Sequence, residues 1–220
     1  MRMIVYKELR EVAGIAAAAL ACYLALVVSL MGGRVFSFIP LMPSGTHAVP
    51  FTDSGFSTPF MFITAGFALA LGFRQSAWEA VRGTYLFLLH RPVQRDWIFL
   101  IKLATGTAVL MLVGSVPIVA YAWWAAVPGH HPSPFQWAMT GSAWELLLGM
   151  PILYLGAFLS GLRPARWYGT RLLPLLGCLL LCVLRSELSE TWFLALSVPL
   201  VLCGLLAGCV CHVARVRDYA

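Results

Sequence analysis

A chain of 220 residues that is 60% hydrophobic and 11% charged, with a mean hydropathy of +0.84, carries more apolar surface than one soluble core can hide. Lipid must therefore be the solvent for much of it, and an ordinary soluble domain is excluded. The net charge of +6 does not mark a nucleic-acid binder, because its placement follows the membrane instead, as shown below.

Residues 1–11, MRMIVYKELRE, read as a short amphipathic helix in the cytoplasmic interface, with Val5, Leu9 and Val12 on one side and Lys7, Arg10 and Glu11 on another. A frayed polar start to the first span is the plainer alternative. Val12 to Gly33 is then free of charge and long enough to cross a bilayer, which takes about 20 mainly apolar residues. Glu8 and Glu11 precede that run and no small-residue cleavage site ends it, so the first helix is expected to stay in the membrane. From Gly32 to Gly55 the composition turns to Gly, Pro, Ser and Thr, and Arg34, His47 and Asp53 are too scattered there for a site.

Ser54 to Phe73 forms the second apolar run, Leu103 to Trp144 the third and Leu146 to Leu162 the fourth. The fifth, LLPLLGCLLLCVL, reaches bilayer length only with help from 167–170, and Thr191 to Ala214 completes the set. The expected fold is all-α, a single polytopic domain over 1–220 with six transmembrane helices. Their approximate limits are 12–32, 56–73, 97–126, 140–162, 167–184 and 191–213, with an interfacial elbow helix over 1–11 and a cytoplasmic helix over about 75–91.

Thirteen of the fifteen Lys and Arg residues fall in alternate loops. Arg2, Lys7 and Arg10 precede the first span, and Arg74, Arg82, Arg91, Arg95 and Lys102 lie between the second and third. Arg163, Arg166 and Arg171 lie between the fourth and fifth, Arg215 and Arg217 at the end; only Arg34 and Arg185 sit on the other side. The positive-inside bias places both termini in the cytoplasm, which requires an even number of spans.

Candidate chemistry is sparse. His130 and His131 are adjacent on a loop with no carboxylate or thiol near them in sequence, so a solvated loop is the simpler reading. Glu145 is the one acid read as lying inside an apolar run; beside Trp144 it belongs at the outer interface, where it needs no special role. Arg185 has Glu187 and Glu190 nearby in a short turn. Cys22, Cys178, Cys182, Cys203, Cys209 and Cys211 all fall within predicted spans and give no disulfide framework. Cys209, Cys211 and His212 imitate metal ligands, but residues two apart point to different sides of a helix. No phosphate-binding GxxxxGK[ST] loop, HExxH or GxSxG occurs, so ATP, if used, is bound elsewhere.

The most informative stretch is EAVRGTYLFLLHRPVQRDWIFLIKLATG, Glu79 to Gly106. Trp78, Val81, Tyr85 and Leu88 recur at helical spacing while Glu79, Arg82 and His90 fall elsewhere on the wheel, and Pro92 stops the helix. Trp97 is expected at the head-group level, with Lys102 snorkelling toward it from the third helix. The order Glu79, Gly83-Thr84, Leu88-Leu89, Arg91-Pro92-Val93, Arg95, Ile98, Lys102-Leu103 and Gly106 resembles the cytoplasmic loop of type-2 ABC transporter permeases. The usual pattern there is E, GT, LLxxPVSR, IxxxKLxxG, and Gln94 stands in place of the usual serine.

The resemblance implies a permease subunit of a bacterial exporter in the cytoplasmic (inner) membrane, dimeric with a second copy or a sister permease and bathed in membrane lipids. It also implies a separate ATPase subunit holding ATP and Mg, with no cofactor, catalytic residue or metal in this chain. By the same resemblance Trp78, Glu79, Arg82, Gly83, Thr84, Tyr85 and Leu88 would contact that ATPase, and Arg91, Pro92 and Arg95 would set how the third helix leaves the loop. The substrate path would follow the second and fifth helices. Two rival readings are a membrane enzyme using His130, His131, Glu145 or the Cys209–His212 group, and a non-transporting anchoring or assembly subunit.

Overall fold

A computed structural model describes residues 2–32, 49–51, 54–82, 95–127, 129, 135–163, 170–188 and 192–216. Within the helices, the side chains of 2, 4, 54, 79–82, 95, 185–188, 192–195 and 216 are not described. Everything described is helix or short connection. Long apolar runs adopt this form because lipid offers backbone N–H and C=O groups no partner, and a helix satisfies them internally.

Six helices follow in order: α1 (Arg2–Leu30), α2 (Ser54–Arg82), α3 (Arg95–Ala126), α4 (Gly141–Leu162), α5 (Leu173–Leu188) and α6 (Trp192–Val216). Single turns of 3-10 helix, Trp137–Thr140 and Thr170–Leu172, lead into α4 and α5. Five segments are long and apolar enough to cross a membrane: Val5–Leu30, Gly55–Trp78, Asp96–Ala126, Trp137–Leu162 and Leu196–Arg215. These mark a multi-pass membrane protein. The remaining apolar helix, Thr170–Leu184, is shorter, about 22 Å at 1.5 Å per residue against a hydrocarbon core of about 30 Å. The six-span expectation thus meets five spanning lengths and one short helix.

Two boundaries expected from sequence are continuous helix in the structure. α1 runs unbroken through the proposed junction of 1–11 with 12–32, and α2 runs unbroken from the second span through Arg82. Neither junction contains a proline, and in α1 the reason is visible: Glu8 and Val12, one turn apart, are both buried on the same face as Tyr23. The rest of the segment read as a coupling helix, 83–91, lies outside the described residues, as do His130, His131 and Glu190.

α4 is the central helix. Its candidate span is 78% buried within the protein, against 11% for that of α6, and residues 149–162 are buried without interruption. It packs against α2, α3, α5 and α6, and its contact with α2 is the most extensive in the molecule. Gly72 permits that closeness, since a Cβ there would stand 2.6 Å from the Tyr154 carbonyl oxygen and 2.7 Å from the Ala157 Cβ.

Exposed tryptophans fix the membrane level. On α3, Trp97 and Trp123 are both half or more exposed and lie 26 residues apart, or about 39 Å along the helix. That matches a bilayer of about 40–45 Å including head groups, whose two interfaces attract tryptophan. Trp78 near the end of α2 and Trp137 before α4 are likewise exposed.

Candidate functional site

The end of the bundle that carries residues 75–102 is built around a buried ion pair. Glu8 enters from α1 and Lys102 from α3; both side chains are fully buried, with Nζ 2.7 Å from Oε1. Lys102 lies five residues, about 7 Å, inside the Trp97 level. The expected snorkelling of Lys102 is therefore corrected: its ammonium turns inward to a carboxylate, because a fully covered cation must find a counter-charge. Glu8 is thus a fully buried acid inside the first candidate span, Val5–Leu30, in addition to Glu145 in the fourth.

Two neutral side chains complete the network. Tyr154 of α4 donates its hydroxyl hydrogen to Gln75 Oε1 at 2.6 Å, and Gln75 Nε2 of α2 reaches Glu8 Oε2 at 3.4 Å. Tyr154 Oη also stands 3.4 Å from the Lys102 carbonyl oxygen. The tyrosine thus orients the amide, and the amide presents a donor to the carboxylate, so four helices meet through one set of polar groups. One turn beyond Lys102, Gly106 leaves the necessary room: a Cβ at that position would run into Tyr154 Oη and Gln75 Oε1.

Further polar contacts extend this belt to the other two helices. Arg171, just before α5, donates to the carbonyls of Ser160 and Gly161 at the end of α4, at 3.2 and 3.1 Å. Ser160 Oγ accepts the Leu175 N–H at 3.2 Å, giving one of the otherwise partnerless first amides of α5 an acceptor. Arg215 of α6 forms a two-pronged ion pair with Asp96 in the first turn of α3, at the exposed edge. All six helices are joined at this end.

The residues singled out for partner contact are distributed as follows. Trp78 is about half exposed on the last turns of α2, with the Arg74 guanidinium 4.9 Å over its ring. Glu79 and Arg82 continue α2 as helix, and Arg95 opens α3; their side chains, and all of Gly83, Thr84, Tyr85, Leu88, Arg91 and Pro92, lie outside what is described. The structure therefore brings together the two stems of that segment. Gln75 stands four residues before Glu79 and Lys102 seven after Arg95, both in the buried network.

Glu145 is partly buried just after the first turn of α4 and lines a groove of about 460 Å³ between α2, α4 and α5, with Met61, Phe62, Leu179 and Val183. Among the described residues, all six cysteines are free thiols and no group of three His, Cys, Asp or Glu is placed to hold a metal.

Glu8, Gln75 and Tyr154 were not among the residues singled out from the sequence. The signal was present but split: Glu8 and Lys102 are opposite charges at the same membrane level on two helices, and nothing in a linear pattern pairs positions 94 apart. No family model, curated protein or solved structure matches the chain.

Proposed function

We propose that the chain is the membrane-spanning permease subunit of an ATP-binding-cassette transporter, an exporter, driven by a separate ATPase that docks on the 75–95 segment. The observation that carries this reading is the polar network on the segment's two stems. α2 continues past the Trp78 level to Arg82, and both its last turns and the first turns of α3 are fixed to α1 and α4 through Gln75, Glu8, Lys102 and Tyr154. A push on a segment held this way moves helices rather than bending a loop, which is what conversion of ATPase closure into transport requires.

In this reading α5 is the fifth of six spans, both termini are cytoplasmic, and two permease subunits, identical or sister, enclose the substrate path along α2 and α5 in a bacterial inner membrane. The groove beside Met61, Phe62 and Leu179 supports an apolar path along those helices. ATP and Mg belong to the partner chain; this one supplies shape, mechanical connection and the lipid seal.

The test is functional coupling. A complex purified through this chain and reconstituted in vesicles should hydrolyse ATP and move substrate. Glu79→Ala with Arg82→Ala should lower transport per ATP hydrolysed without lowering the melting temperature of the membrane subunit. Full transport by that double variant would remove the docking assignment.

A further inference from the structure

α1 and α2 frame a second polar feature on the outer side of the buried ion pair. A recess of about 440 Å³ is lined by Tyr6, Lys7, Arg10, Glu11 and Arg74. Three cations and one carboxylate give its wall a net charge of +2. Lys7 is shared between Glu8 at 3.6 Å and Glu11 at 3.4 Å. Among the described residues no carboxylate lies within ion-pair distance of Arg10 or Arg74.

Arg74 is also held in place. Its guanidinium lies over the Trp78 ring and its Nε donates to the Glu11 carbonyl at 3.4 Å, while no hydrogen bond among the described residues uses its terminal nitrogens. Fixed donors with spare N–H groups beside a second uncompensated arginine are what a phosphate oxygen needs.

The level of the recess decides which phosphate. Arg74 is one turn inside Trp78, and Tyr6 and Leu9 expose apolar surface alongside it, so the cavity opens where lipid head groups lie and acyl chains can continue along α1. We infer that this recess binds the head group of an anionic phospholipid, with Arg10 and Arg74 on the phosphate and Lys7 at its edge. A zwitterionic lipid would bring its own ammonium against a wall that is already positive. The volume is within the range of small-ligand sites. The inference is independent of the transporter reading, since it requires no soluble partner.

The experiment is lipid titration of the purified full-length chain in neutral detergent, read by native mass spectrometry. Phosphatidylglycerol should be retained on the order of 10-fold more tightly than phosphatidylcholine, and millimolar inorganic phosphate should not displace it. With about five-fold per interfacial charge, Arg10→Gln with Arg74→Gln should weaken retention about 25-fold. Glu11→Gln, which removes the one acid from the wall, should strengthen it about five-fold, a gain that misfolding cannot produce. Equal retention of the two lipids, displacement by inorganic phosphate, indifference to the arginine pair, or weaker retention in Glu11→Gln would each overturn the assignment.

Discussion

The two ends of the helix bundle are held together by different physics. At one end Glu8, Lys102, Gln75 and Tyr154 interlock through directed polar contacts. At the other, Phe56 stacks on Tyr121 at 5.6 Å and 7° and on Phe60 at 5.1 Å and 20°, with the Phe51 ring edge-on or tilted against Phe56 and Tyr121. Phe51 is held among them at φ 63°, a left-handed conformation that costs a non-glycine residue about 1 kcal/mol or more. Ring packing depends mainly on buried area and accepts several geometries, whereas the ion pair and its hydrogen bonds depend on both distance and direction. Under the proposed function the polar end is the one that would transmit a displacement.

The comparison can be broken most forcefully at Lys102. Lys102→Met leaves the Glu8 carboxylate buried beside a methyl group, which typically costs 3–5 kcal/mol. With Lys7 still 3.6 Å from Glu8, a loss of about 3 kcal/mol is expected in denaturant unfolding of the purified chain. Glu8→Gln combined with Lys102→Met should recover most of that stability. If the single variant is as stable as the parent, the pair is not the joint described here.

Gly106→Ala is the next largest. It drives a methyl group into Tyr154 Oη and Gln75 Oε1, and overpacking of this kind costs about 1–3 kcal/mol. Under the proposed function, the same substitution should also lower transport per ATP. Phe56→Leu at the opposite end should cost about 1 kcal/mol by loss of ring contacts and leave that ratio unchanged, which separates the two ends by function as well as by stability. Smallest of all is Asp96→Asn, which removes the partner of the exposed Arg215; melting temperature at moderate salt should not change measurably, in contrast to the buried pair.

The all-helical membrane architecture was legible in the sequence because lipid imposes a simple rule: long charge-free runs become helices, and their ends collect tryptophan and arginine. Trp97 lies where that rule puts it. Lys102 does not, because snorkelling is a property of one helix facing lipid, and the Lys102 ammonium turns to Glu8 of α1 instead. Its partner Glu8 reads locally as one more charge in YKELRE, and Tyr154 as one more aromatic in an apolar run; only packing gives them roles. The change in polarity near residue 11 predicts a break there. A buried counter-charge removes the reason for a break, and α1 continues straight through.

The central claim is that the segment between α2 and α3 is the docking point of an ATPase, and affinity purification tests it directly. A tagged full-length chain, extracted in mild detergent and isolated in the presence of nucleotide, should carry an ATP-binding subunit in near-stoichiometric amount. The Glu79→Ala, Arg82→Ala variant, at equal expression and equal thermal stability, should carry much less. Purification of the intact chain with no ATPase, or equal recovery by both forms, would contradict the account.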